Sequence, residues 1–379
     1  MAYTTIDKPT DYFNTVLYTG NGTARNITTG LTSTDWVWIK RRDGTANHRI
    51  FDVVRGVHEN LQSNTSNAEQ NNSESLTAFG TSTFSLGTDS GGYDVNTSSQ
   101  TYVSWNWSAG GTASSNSDGS ITSTVSANQT AGFSIVSYTS GQSGAFSIGH
   151  GLSSAPKMFI AKSRDLNHSW GFYYTVRGTN TNWMTLNTTD AQGNNTADPD
   201  ANGIAAGGVG HTGVFAILNS STISIGPTSY ANSGTSAIGY CFAEVKGFSK
   251  FGSYTGNGNA DGTFVYTGFK PAFVISKRTD STENWYMKDN KRSEFNPVDD
   301  AVYANSSASE LSNWSGATTD YLSNGFKIRT VDSAHNASGG TYIYMAFAES
   351  PFVTSTGIPT VARWYEIFID PIYVQHDYR

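Results

Sequence analysis

Along most of this chain apolar and polar residues alternate in twos, the spacing that sends successive side chains to opposite faces of an extended strand. In DWVWIK, residues 35–40, Trp36 and Trp38 share one face while Val37 and Ile39 share the other. Matching bursts occur at 157–162, KMFIAK, and at 272–277, AFVISK, where Met158 with Ile160 and Phe273 with Ile275 replace the tryptophans. Apolar character on both faces predicts a central strand, with one face in a sandwich core and the other under a loop or a neighbour. A second stretch recurs as TYVSWNW at 101–107, SAIGYCF at 236–242 and TYIYMAF at 341–347. It aligns Trp105 with Trp107, Tyr240 with Phe242 and Met345 with Phe347 on one side. Shorter strand signals precede each copy: TFSLG at 83–87, GVFAI at 213–217 and GFKIR at 325–329.

These elements keep a common interval. YTGNG stands at 18–22 and again at 254–258, with the looser SYTSGQSG between them at 137–144. Lys40, Lys162 and Lys277 follow Tyr18, Tyr138 and Tyr254 by 22, 24 and 23 residues. The chain therefore reads as three variants of one unit of roughly 100–115 residues. The predicted fold is all-β, with three tandem antiparallel β-sandwich modules at 13–109, 132–246 and 247–349, each with its own two-layer core. An N-terminal segment covers 1–12 and is expected to attach to neighbouring subunits, and a Gly/Ser/Thr-rich linker covers 110–131, its first half a flexible connector, while SITSTVS could lie on a sheet edge. Modules two and three run together without a linker and are expected to stack rigidly. An aromatic C-terminal arm covers 350–379, where Trp364, Tyr365, Phe368 and Tyr373 are expected to dock on another surface.

Composition narrows the picture. Charged residues are 14% of the chain, aromatics 13%, and glycines number 39, a mixture poor in helix formers and rich in strand and turn formers. The net charge of −7 and the lack of a Lys/Arg stripe argue against nucleic acid as a partner, and KRR at 40–42 reads as a strand end meeting solvent. One cysteine, Cys241, rules out an intrachain disulfide. The N-terminus lacks the pattern of a secretion signal, and no run of about 18 apolar residues occurs, so synthesis in a cytosol without membrane insertion is expected.

Candidate chemistry is sparse. Glu244 and Glu349 hold matched places after the closing strand but lack a close second acid, and the seven histidines form no triad pattern, so no enzyme is expected. DPDANG at 198–203 spaces Asp198, Asp200 and Asn202 as calcium loops do, although Val209 stands where the closing glutamate belongs, so calcium is the one cofactor candidate. Trp170, Trp183, Trp285 and Trp314 lie in amide-rich loops suited to stacking on sugar rings, with plugging of the sandwich ends as the alternative. The shared VRG at 54–56 and 176–178 sets Arg55 and Arg177 at matched positions, where each is expected to tie a turn to neighbouring carbonyls.

Several long phrases, among them MAYTTIDKPTDYFNTVLYTGNG, FDVVRGVHENLQSNTSNAEQ and FAEVKGFSKFGSYTGNGNADGTFVYTGFKPAFVISKRTDS, resemble modules repeated in virion structural and tail-fibre-like proteins of marine tailed bacteriophages of the cyanophage type. The resemblance covers about residues 1–352 and implies lectin-like or SPRY-like jelly-roll modules in a virion component. It supplies no catalytic residues. The resemblance leaves open which particle component this is; a structural role in a tail or fibre, with attachment to host-surface glycans, is the function expected. Other virion proteins and further copies of the chain, by fibre analogy a trimer, are the expected partners. An architectural decoration protein and a free carbohydrate-binding module are the alternatives.

Overall fold

The computed structural model describes residues 3–140, 145–177, 182–193, 216–225 and 234–360. Each third of the chain builds one large antiparallel sheet and one three-stranded sheet. In the first lobe the large sheet runs, edge to edge, through Phe13–Thr19, Thr101–Trp107, Trp36–Arg41, Arg49–Asp52, Gly56–Leu61 and Gln70–Asn71. The second and third lobes repeat that order around Thr235–Phe242 and Thr341–Pro351, each flanked by its opening strand and its apolar burst strand. Among the described residues helix is confined to single turns such as Ser333–Asn336, and none is long and apolar enough to cross a membrane.

The period-two pattern splits each burst strand between two cores. Val37, Ile39 and Phe51 face the small sheet of their own lobe and pack with Ile27, Leu76, Phe84 and Leu86. Phe159 and Cys241 do the same in the second lobe, and Val274, Tyr344 and Ala346 in the third. The opposite faces meet each other. Trp36, Trp38, Trp105 and Trp107 join Met158, Ile160, Tyr240, Phe242, Phe273, Ile275, Met345 and Phe347 in one buried cluster shared by all three lobes. Register puts the matched side chains at matched heights, with Trp36 opposite Trp107, Met158 opposite Phe242 and Phe273 opposite Phe347.

The rings cross lobe boundaries: Trp36 stacks on Tyr240 with centroids 4.6 Å apart, Phe13 on Phe347 at 5.1 Å, and Phe172 meets Trp285 at 4.6 Å. Phe347 also touches Trp107 at 5.5 Å and Phe242 at 6.1 Å, so the three equivalent closing-strand aromatics converge in the centre. The aromatic positions expected to fill three independent cores instead fill one common core. Burying both faces of each large sheet favours this arrangement, because a separate lobe would leave its ring face in water.

Three further expectations are corrected. Residues 110–131 are not a spacer, because Ser114–Asn116 and Ser123–Asn128 extend the second lobe's large sheet by two strands. The described part of the N-terminal segment packs on its own chain: Ile6 is buried in the common core, and the Tyr3 hydroxyl donates to the Gly268 carbonyl at 2.7 Å. Lys40 is buried rather than at a solvated strand end. The closing strand of the third lobe continues to Pro351, and Trp364, Tyr365, Phe368 and Tyr373 lie outside the described residues, as do Asp198, Asp200 and Asn202.

The repeated YTGNG has a local cause. A Cβ on Gly20 would lie 2.2 Å from the Thr97 carbonyl oxygen, and one on Gly256 2.3 Å from that of Ala337. Gly22 and Gly258 take φ of 65° and 69°, a region open to glycine at little cost. The turns dock there on Asn96 and Asn336, whose side-chain oxygens accept the backbone N–H groups of Asn21 and Asn257.

A shared core predicts shared unfolding. Phe242→Ala should cost about 3–5 kcal/mol, the usual range for truncating a buried aromatic, and calorimetry should still show a single transition. Residues 110–246, the second lobe with all of its strands, should fail to give a cooperative melt when expressed alone.

Candidate functional site

The lobes meet along three seams, and equivalent residues build each one. At the start of the strand that pairs with the burst strand stands His48, just before Arg49–Asp52, Trp170, just before Gly171–Tyr174, or Trp285, the first residue of Trp285–Asp289, and its backbone N–H is held by Asn64, Asn187 or Asn305 at 2.8–3.0 Å. Its ring then reaches into the next lobe. Trp170 Nε1 donates to the Gln62 carbonyl at 2.8 Å, Trp285 Nε1 to that of Thr185 at 3.1 Å, and His48 Nε2 lies 2.9 Å from that of Tyr303. Because His48 Nδ1 accepts from Trp38 Nε1 at 2.8 Å, Nε2 carries the proton. The contacts run from lobe two to one, three to two and one to three, so the lobes close into a ring of approximate threefold symmetry.

Beside this contact, two seams carry a buried ion network. Arg55 and Asp52 have fully buried side chains 2.5 Å apart, and Glu69 receives Arg55 at 2.9 Å and Arg164 of the second lobe at 2.6 Å. The Tyr240 hydroxyl donates to Asp52 at 2.8 Å. The seam between lobes one and three repeats this set, with Arg292 on Asp289 at 2.6 Å, Glu310 between Arg292 and Arg42 at 3.2 and 2.7 Å, and Trp105 Nε1 donating to Asp289 at 3.0 Å. Burial alone would lower the pKa of Arg55 and Arg292, and the adjacent carboxylates outweigh it and raise both. Two arginines around each glutamate, with an aspartate satisfied by a neighbour's ring donor, give the full pairing that a buried charge requires. Arg55 and Arg292 also tie their turns to the carbonyls of Ile50 and Met287 at 2.8 and 2.9 Å, the role expected for Arg55.

The third seam differs. Tyr174, Gln192 and Thr279 stand where the others have an aspartate, a glutamate and an arginine, and only Arg177 keeps its type. Gln192 still takes its backbone bond across the seam, from its N–H to the Thr279 carbonyl at 2.8 Å, just as Glu69 bonds Arg164 and Glu310 bonds Arg42. Its side-chain oxygen accepts from the Tyr174 hydroxyl at 2.7 Å and from Arg177 Nη1 at 2.9 Å, and Nη1 also reaches Thr279 Oγ1 at 2.7 Å. Where the other seams have the crossing arginine, a cavity of about 480 Å³ is lined by Arg177, Asn182, Gln192, Thr279, Asp280 and Thr341.

Of the tryptophans expected to stack on sugars, Trp170 and Trp285 are 1% exposed and belong to the common core. Their ring N–H groups are spent on the carbonyls above, so they are seam elements and not ligand platforms. Trp183 is half-buried over Gly193, and Trp314 is half-buried and stacked on Tyr286 at 5.6 Å. Glu244 accepts the Phe251 N–H at 2.9 Å across the junction of the second and third lobes, and Glu349 pairs with Lys270 at 2.8 Å within the third, so both carboxylates brace the chain. Sequence reasoning found Arg55 and Arg177 but missed Arg292, Glu69, Glu310 and Gln192. The signal was available: NTSNAE at 64–69, NTTDAQ at 187–192 and NSSASE at 305–310 start on the capping asparagine and end on the seam residue.

The three lysines closing the burst strands lie on the same strand face as the central aromatics. They are buried and donate to the carbonyls of Arg41, Ser163 and Arg278 at 2.7–2.8 Å. Desolvation pushes their pKa values down to about 8 for Lys40, about 7 for Lys162 and about 8 for Lys277, and Lys288, in a separate buried place, to about 7.

The chain belongs to the DUF7483 family, a domain of unknown function, whose pattern matches residues 8–351. The match is one continuous span across all three lobes. No curated protein and no solved structure matches the chain.

Two outcomes follow from the seams. Arg292→Ala would leave Asp289 buried without its cation and should cost about 3–5 kcal/mol, measured by denaturant unfolding. The lowered lysine values mean that the unfolded chain binds more protons than the folded one between about pH 7 and the ordinary lysine range, so stability should rise with pH there. The melting temperature should be higher at pH 9 than at pH 7, and Lys162→Met should flatten that slope.

Proposed function

We propose that this member of the DUF7483 family is a structural, non-enzymatic component of a bacteriophage particle, in the tail or fibre apparatus, that contributes to attachment to host-surface glycans. The phage resemblance of its long repeated phrases supports the assignment to a particle. The observation that carries the mechanical part is the ring closure: an aromatic core common to three lobes, braced at two seams by four-residue ion networks whose inner pairs, Asp52–Arg55 and Asp289–Arg292, are fully buried. Such a body resists unfolding outside a cell without disulfides, since every lobe that opens must expose ring faces belonging to two others. In this reading its copies assemble with other virion proteins, as a trimer by fibre analogy.

A purely architectural role, as a decoration that never meets a receptor, gains from the burial of Trp170 and Trp285, which removes two of the four expected sugar platforms. One experiment separates the readings. Antibodies raised against the purified chain should label intact particles at the tail in electron micrographs and block adsorption to host cells. Labelling without any effect on adsorption would favour the architectural role, and particles that never label would defeat both.

A further inference from the structure

We propose that the cavity at the seam between the second and third lobes binds a carboxylate-bearing saccharide, an acidic sugar unit of a surface glycan. This deepens the adhesive reading above and rests on it. The internal repeat supplies the comparison that a single site lacks, because the same position occurs three times in one molecule and is filled twice. Arg42 and Arg164 cross their seams onto Glu310 and Glu69, and those glutamates neutralise Arg292 and Arg55. Where Thr279 replaces the crossing arginine, the space of a guanidinium and its stem stays empty. Its volume of about 480 Å³ lies within the range of about 300–1,000 Å³ common for small-ligand sites.

The charge changes together with the space. Arg177 keeps the cation, while Gln192 and Tyr174 replace both carboxylates that pair with its counterparts. Among the described residues Arg177 forms no ion pair, its hydrogen bonds leave from Nη1 alone, and it is exposed at the cavity wall. The Nε and Nη2 edge can then receive a carboxylate through two parallel N–H bonds, a geometry that a guanidinium offers and an ammonium does not. The remaining wall suits hydroxyl groups. Asn182 and Gln192 bring amides joined by a 2.6 Å bond from Gln192 Nε2 to Asn182 Oδ1, Thr279 and Thr341 bring hydroxyls 2.7 Å apart, and Asp280 brings a carboxylate that pairs with Arg278 at 2.9 Å and accepts the Thr341 N–H at 3.2 Å, so a sugar hydroxyl would join an existing polar network. A sugar acid carries the anion and the polyol in one small ring.

Titration calorimetry on the full purified chain, with methyl glucuronide, methyl glucoside and acetate as probes, tests this. The glucuronide should bind at least tenfold more tightly than either the glucoside or acetate, and Arg177→Ala should weaken it at least tenfold. The double change Thr279→Arg with Gln192→Glu rebuilds the closed seam, and it should abolish binding while keeping or raising the melting temperature, which separates a filled site from a damaged fold. No binding of the glucuronide, or equal binding by the wild type and both variants, would overturn the proposal, as would acetate binding as well as the glucuronide. Adsorption assays keep the two readings apart. If Arg177→Ala attaches to host cells as well as the wild type does, this cavity is not the adhesive site although adhesion stands. If neither protein attaches, the adhesive function itself fails.

Discussion

The structure depends on the burial of one face of three sheets against each other. A two-sheet lobe of about 100 residues could cover its inner face with its own small sheet, but its large sheet has a second face carrying Trp36, Trp38, Trp105 and Trp107, or their counterparts. Left in water, that face would be an extended apolar patch, well beyond the few hundred Å² that a monomer commonly shows. Three such faces brought around a common line cover one another completely. The ring therefore closes all three faces on one another within one chain, and the polar seams fix the rotation at which it closes.

Specificity of that closure comes from the polar groups rather than from the aromatics. Hydrophobic burial is non-directional, so the central rings would tolerate several relative rotations of the lobes. The paired networks at Asp52–Arg55–Glu69–Arg164 and Asp289–Arg292–Glu310–Arg42 tolerate only one, because any other leaves a buried charge unmatched. The N–H donors of Trp170 and Trp285 add a second register mark at the start of the strand that pairs with the burst strand. With the ring fixed by two seams, the third could lose its charges and keep its geometry through the Gln192 and Thr279 backbone bond. Divergence there is structurally cheap, and the seam holds an open hollow walled by Arg177 and by Asp280, which is paired with Arg278.

Strand identity, the threefold internal repeat and the paired faces of the burst strands were all legible in the sequence, since period-two patterning reports which residues share a face. It does not report what covers a face. Trp36 and Val37 look equally apolar in DWVWIK, yet one meets Tyr240 of another lobe and the other its own small sheet. For the same reason Trp170 and Trp285, read as loop tryptophans, turned out to be interior, and Lys40, read as solvated, turned out to lie beneath the ring. Composition misled in the first half of 110–131, where Ser and Gly content suggested a spacer but Ser114–Asn116 pairs with Ser123–Asn128, whereas the alternation in SITSTVS placed the latter on the sheet as expected. The seam could have been found from the recurring asparagine-to-acid phrase, but the acid becomes a glutamine in the second lobe, and Arg292 lacks the Val and Gly that flag Arg55 and Arg177.

The central claim is that the three lobes form one cooperative body around a common aromatic core, and hydrogen exchange of the native protein tests it most directly. The amides of Thr101–Trp107, Thr235–Phe242 and Thr341–Pro351 should all exchange through the same global opening, with equal protection and equal dependence on denaturant. Protection that differs between the lobes, with one of these strands exchanging through a separate opening at lower denaturant, would contradict it.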